Sequence, residues 1–286
     1  MRADLSTMRR YARTPKGLFG IVLLVLTAAA GTHAGWPLVT PGLLGAILPA
    51  MLVDACVLRW RHGTWRFPDG ALLTGWIVAL ILSPHALWYV ASITAVVGVI
   101  GKSLFRVGLA NVFNPAAVAL VATFYVFDTG QSWWGALPEL PLAWTLALLA
   151  GGIFITVRIN KAPVVLAFLG VYYLLATLFA FLGDPAQVAE LYRAPDLHAT
   201  LFFAFFMVTD PPTSPPKHPD QLVYGVITAV SAFAVYRLVG AAYFLLAGLL
   251  VANVWEGWRK RRLRDRHASH AVGHLGHASS GAVATR

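Results

Sequence analysis

Two asparagines three residues apart, in Asn111-Val112-Phe113-Asn114-Pro115-Ala116, stand directly before an apolar run. Proline suits a first helical turn, where its missing N–H is not needed, and Asn114 is then the N-cap. That local role is enough to explain both residues. The pair also sets two side-chain amides beside the positive end of a helix, where an anion or a carbonyl-rich ring can be held. A second polar break, Thr209-Asp210-Pro211-Pro212, closes another apolar run and opens a proline-rich loop. Asp210 is either an ordinary loop acid or an ion or proton site at the end of an interrupted helix. Asp69-Gly70 is its counterpart earlier in the chain. Asp54 lies well inside an apolar run, where a charge is costly and is a functional candidate by default. Its plainer alternative is a pairing with Arg59, five residues on. Thr74 and Thr200, near the starts of two short apolar runs, join the asparagines as cofactor-binding candidates. His198, beside Asp196, could titrate near neutral pH or simply sit at an interface. No catalytic nucleophile–base pair, glycine-rich phosphate loop or metal-ligand spacing stands out, and the single cysteine, Cys56, supplies neither a disulfide nor a cluster site.

The elements that must position these residues are membrane helices. Of 286 residues, 58% are hydrophobic and 12% charged, half the charge density of a soluble domain. Ten apolar runs can be marked, at 17–33, 38–58, 70–83, 86–101, 112–127, 141–158, 163–182, 198–209, 221–237 and 239–257. The third and eighth are short for a full span of about 20 residues. With the N-terminus in the cytoplasm, 20 of the 22 Lys and Arg fall on the cytoplasmic side, leaving only Arg193 and Arg237 outside. The outer side instead holds Asp128, Glu139, Asp184, Glu190 and Asp196. This asymmetry fits ten spans with both ends inside. It also assigns the net charge of +10 to topology and a lipid-facing partner rather than to nucleic acid. The organisation is then a basic N-terminus (1–16), five helices (17–127), an outer loop (128–140), five helices (141–257) and a basic, His-rich tail (258–286). The first run reads as a retained helix, not a cleaved signal. The tail reads as unordered, because nothing apolar is there to order it. Trp133 and Trp134 in the outer loop read as part of the interfacial aromatic belts.

The halves repeat. Ala71-Leu72-Leu73-Thr74 is echoed by Leu197-His198-Ala199-Thr200, and Arg106-Val107-Gly108-Leu109-Ala110 by Arg237-Leu238-Val239-Gly240-Ala241. An odd number of runs separates the copies, so they face opposite sides. The expected fold is therefore all-α and integral to the membrane, a five-plus-five inverted repeat with its site where the short helices meet.

Asp69-Gly70-Ala71-Leu72-Leu73-Thr74-Gly75, the asparagine motif at 111–116, and Ala204-Phe205-Phe206-Met207-Val208-Thr209-Asp210-Pro211 resemble the RnfD/NqrB family of membrane electron-transport subunits. The likeness covers about residues 17–257. It implies electron transfer coupled to ion movement, partner redox subunits, and a buried non-covalent riboflavin or FMN, or a quinone, near Asn111 and Asn114. The family also carries FMN on a threonine of a Ser-x-Ala-Thr type motif, in a long outer insertion after the fifth span. Here that segment is only Asp128 to Leu140, with Thr129 but no such motif. Leu197-His198-Ala199-Thr200 is the nearest textual match and aligns with a different family segment. No covalent FMN is therefore expected. In this the chain is similar to the RnfD-like membrane proteins found with enediyne antibiotic biosynthesis. The alternative is a transporter of ions or small molecules, or a membrane anchor, on the same scaffold, in natural-product biosynthesis or export.

Overall fold

The computed structural model describes residues 5–107, 110–183 and 185–283. A short helix α1 (Leu5–Ala12) precedes α2 (Pro15–Ala34), whose start is set by Pro15 in the first turn and by Thr14, which accepts a hydrogen bond from the Gly17 amide at 3.1 Å. Gly35, at φ +93°, turns the chain into α3 (Trp36–His62), which runs through Pro41 and Pro49 and ends on a left-handed Gly63. Then follow α4 (Asp69–Ile81), α5 (Trp88–Leu104), a two-residue hairpin β1 (Arg106–Val107) with β2 (Ala110–Asn111), and α6 (Pro115–Phe127). The second half holds α7 (Leu142–Arg158), α8 (Ala162–Leu182), the short α9 (Pro185–Glu190), α10 (Asp196–Phe206), α11 (His218–Val239) and α12 (Phe244–Val283).

Each of the apolar runs marked in the sequence falls on one of these helices. Four of them, α2, α3, α8 and α11, are long and apolar enough to cross a bilayer, and α4, α5, α6, α7 and α10 are shorter apolar helices. Large apolar side chains point away from the protein, as on α3, where Leu48 and Leu52 are 58% and 66% exposed. A helix apolar on its outer face as well as its inner one is built for lipid, and the chain is a multi-pass membrane protein.

The bundle closes around two of its short elements. Residues 198–206 of α10 are all buried, and so are Ala71 and Ile77 to Ile81 of α4. At 1.5 Å per residue the 11 residues of α10 and the 13 of α4 extend about 16 and 20 Å, against about 30 Å of hydrocarbon. Both are half-helices walled in by longer ones. The close packing uses small residues. A Cβ on Gly75 of α4 would come within 2.8 Å of the Ala46 carbonyl oxygen on α3, and one on Gly225 of α11 within 2.7 Å of the Val164 oxygen on α8.

A half-helix that ends inside a bundle must find donors for its last carbonyls. For α4 the segment 128–140 provides them. The amides of Ser132 and Trp133 donate to the Ile81 oxygen at 3.0 and 3.1 Å, and the Trp134 indole donates to the Ala79 oxygen at 2.7 Å. The segment is therefore folded into the protein, with a 3-10 turn at Trp134–Ala136. This corrects the reading of Trp133 and Trp134 as belt residues: they are 7% and 8% exposed, and Trp133 packs edge-on against Phe202 and Phe203. The tail also departs from expectation. The helix α12 runs on through the basic cluster to Val283 where an unordered segment was expected.

Candidate functional site

A cavity of about 390 Å³ opens where the starts of α2, α4 and α6 meet the end of α10. Asp69, Thr74, Asn111, Asn114 and Asp210, all singled out in the sequence, line it. Its apolar walls come from Phe19, Ile155, Phe205 and Phe206. The two polar breaks, one before α6 and one after α10, thus face one space.

The asparagines are held from behind. The Asn114 side-chain oxygen accepts from the Ala117 amide at 3.1 Å, so it does cap α6. Its backbone N–H donates at 2.8 Å to Oδ1 of Asn253, a fully buried residue of α12. Asn111 ends the β-hairpin, with its oxygen taking the Arg106 Nε–H at 3.4 Å. Among the described residues neither asparagine amide nitrogen donates to the protein, so both remain for a ligand. Thr74 donates its hydroxyl proton to the Gly70 carbonyl at 2.8 Å and can only accept from a ligand.

The acids have separate partners. Asp69 pairs with Lys16 at 2.8 Å, joining α4 to the start of α2. Asp54, 3% exposed, lies behind the cavity wall and pairs with Lys102 of α5 at 3.3 Å. The alternative pairing with Arg59 is not formed; Arg59 turns instead to the Gly63 carbonyl, capping α3. Lys102 itself lines the cavity, so the pair presents its cation there. Asp210 accepts from the Thr213 hydroxyl at 2.7 Å. Burial pushes its carboxyl above the usual range, with Thr213, Lys161, Lys260 and Lys102 acting the other way. Lys161 is buried under the proline loop, donating to the Pro215 and Ser214 oxygens at 2.6 and 3.3 Å, and desolvation lowers it to about 8.

Two further candidates fall outside the cavity. Thr200 is buried in the middle of α10 and does not line it. His198 is buried rather than interfacial, with its ring nitrogens 3.0 Å from the Leu137 oxygen and 3.0 Å from the Thr145 hydroxyl. Sequence reasoning also passed over Asn253, Tyr224 and Glu256, all fully buried at 0% exposure. Glu256 is a second acid inside an apolar run, which its position alone could have flagged. Arg259 holds it at 2.7 Å and reaches Asp220 at 2.6 Å.

Similarity to known proteins agrees with this geometry. The chain matches the NQR2, RnfD, RnfE family over residues 9–140 and 134–256. It is 27% identical to the D component of the ion-translocating oxidoreductase complex of Halorhodospira halophila, over 90% of this chain and 94% of that one. The corresponding component from Stutzerimonas stutzeri is 38% identical over 42% of this chain and 34% of its own, and that from Escherichia coli 24% identical over 85% and 92%. With both halves matched and the motif residues gathered around one cavity, the chain belongs to the NQR2, RnfD, RnfE family.

Proposed function

We propose that this protein is the electron-transport subunit of an ion-translocating membrane oxidoreductase, and that its cavity holds a non-covalent flavin, riboflavin or FMN. The observation that carries the reading is the cavity itself. Its volume lies within the range of small-molecule sites, about 300–1,000 Å³. Apolar walls suit the faces of a fused ring, and the two unengaged asparagine amides suit the carbonyls on its edge. A bound flavin supplies one- and two-electron chemistry. The residues here do the rest: Asn111 and Asn114 orient the ring, Phe19 and Phe206 exclude water, and Lys102 sets a positive charge near the electron-rich edge. Asp210 and Asp69, with Asp54 behind Lys102, are the groups through which charge movement couples to a cation or proton. A quinone of similar ring size is accommodated by the same contacts.

The wider reading is of ten crossings in two inverted halves, 17–127 and 141–257, with both termini cytoplasmic in the inner membrane and other redox subunits as partners. The two half-helices α4 and α10, at matching places in the two halves, support it. We expect no covalent FMN, because the segment 128–140 is short and holds no Ser-x-Ala-Thr motif. The Halorhodospira relative aligns over 340 positions although this chain has 286 residues, so the relative carries insertions that this chain lacks. The two matched segments of the family also meet at 134–140, in the short outer segment.

The deciding experiment is a visible absorption spectrum of the detergent-purified protein, with mass analysis of released pigment. Flavin bands lost on acid precipitation, and reduced at least about tenfold in Asn111→Ala or Asn114→Ala, are expected. Pigment that stays with the polypeptide overturns the non-covalent assignment. A colourless folded protein that takes up neither riboflavin nor quinone selects the transporter or membrane-anchor reading.

A further inference from the structure

The turn that follows α10 has few backbone donors with which to fix itself to the bundle. Prolines occupy 211, 212, 215 and 216, and none of them has an N–H. The two amides between them, on Thr213 and Ser214, both donate to the Asp210 oxygen, at 3.2 and 2.9 Å, and so close the turn on itself. Its carbonyls are gripped instead by side chains from three other places. Lys161, ahead of α8, donates to the Ser214 and Pro215 oxygens at 3.3 and 2.6 Å. Gln221 of α11 donates to the Pro216 oxygen at 3.3 Å, and Lys260 of α12 to the Pro212 oxygen at 2.9 Å. The base of the turn, Thr213 to Pro215, is buried, whereas its tip, Pro211 and Pro212, is exposed and lines the cavity. The other exposed residues of the lining are Pro15 and Lys16, with Lys16 paired to Asp69. These two rims frame the mouth. One carries an ion pair between two helix starts. The other is a turn tip tied by one solvent-accessible hydrogen bond among the described residues, that from Lys260.

We propose that Lys260 is a positioning residue for the cavity mouth: it holds the Pro211–Pro212 tip over the ligand, and its release is the step by which a ring-sized ligand enters and leaves. The proposal rests on the reading of the cavity as a flavin site. Two adjacent prolines are stiff, so the tip moves as one piece about its base, which Lys161 keeps in place. Lys260 can let go without stranding a polar group. Pro212 is exposed, so water replaces the ammonium on its oxygen. Glu256, 3.6 Å from Lys260, keeps both its oxygens on Arg259, at 2.7 and 3.0 Å. The opposite rim has no such freedom. Lys16 and Asp69 stand in the first turns of α2 and α4, so the backbone there is fixed by two helices.

The test is the rate of riboflavin exchange in the full-length, detergent-purified protein, followed by stopped-flow flavin fluorescence with the melting temperature taken alongside. K260M is expected to raise the association and dissociation rate constants together, by about three- to tenfold, the factor that one hydrogen bond carries, and to leave the dissociation constant within about twofold. K260R keeps a charged donor and stays at the wild-type rates. A role in folding alone lowers the melting temperature without raising both rates. Rates unmoved by K260M overturn the proposal, and so does acceleration in K16M with none in K260M, which assigns entry to the other rim. A second measurement needs no ligand. Thr74 lines the cavity and is 8% exposed, so in a C56S/T74C protein the labelling of T74C by a small thiol reagent reports how often the mouth opens. Adding K260M should speed that labelling by a similar factor, and unchanged labelling overturns the proposal. If the wild-type protein binds no riboflavin, the flavin reading fails and the labelling alone decides the role of Lys260.

Discussion

Asp210 sits in a position that costs the folded protein something at neutral pH. Its carboxyl is raised above the ordinary value because burial outweighs the Thr213 hydrogen bond and the facing lysines. The folded state therefore holds a proton at pH values where the unfolded chain has released it. The stabilisation from that proton is complete below the ordinary carboxylate range and is lost as pH rises through the folded-state value. Asp210→Asn, which mimics the protonated form, is expected to melt at a higher temperature than wild type near neutrality. The gain should disappear as the pH falls below about 4. A variant that is less stable at every pH would show that the carboxylate is held more favourably than its burial implies. At this scale the sequence was informative wherever a polar residue interrupted an apolar run. Asp69, Thr74, Asn111, Asn114 and Asp210 were all legible and all meet. What could not be read was the partner. Lys102 rather than Arg59 faces Asp54, because a helix neighbour five positions on points to a different side, whereas α5 packs closely along α3. Asn253 was missed for a related reason: its role exists only through a contact with a residue 139 positions away.

Among the elements, the half-helix α4 depends on two things outside itself. One is the close approach to α3 at Gly75. Adding a methyl there brings it to 2.8 Å from the Ala46 oxygen and 3.0 Å from the Ile47 Cα, both backbone atoms that cannot swing aside. Gly75→Ala should cost about 1–3 kcal/mol and enlarge or distort the cavity that α4 walls. The other is the segment 128–140. Trp134→Phe keeps most of the ring but leaves the Ala79 carbonyl without its donor, a loss of about 1–3 kcal/mol. Thermal melts in detergent check both, and a neutral result for Trp134→Phe would mean that water reaches the end of α4. The apolar helices were legible from the length of their runs alone. The burial of the tryptophan pair was not, because belt and plug tryptophans look alike until it is known that a helix ends short beneath them.

On the scale of the whole molecule, the charge asymmetry is the source of the expected orientation, with 20 of 22 Lys and Arg on one side. Reporter fusions test it: a cytoplasm-active reporter is expected to work after Trp258, at Gly63 and at Lys217, and to fail at Gly130. Activity at Gly130 together with silence at Gly63 would invert the topology. The single cysteine makes a cysteine-free background one substitution away, so single-site labelling can confirm each loop.

The brevity of α10 has a consequence for how the protein is made. Eleven residues do not present a hydrophobic segment long enough to be recognised and released into lipid alone. Its nine consecutive buried residues also leave no face turned to the acyl chains in the folded protein. This helix can settle only against helices already inserted: it packs on α7 and α8 and on the turn at Trp134–Ala136, all made before it, while the loop behind it waits for α12, whose Lys260 donates to the Pro212 oxygen at 2.9 Å. A ribosome paused before α12 emerges would therefore leave the proline loop, though not α10 itself, without its last contact. Nascent chains stopped at Val239 should remain accessible to protease at residues 211–217, and extension beyond Lys260 should close that window.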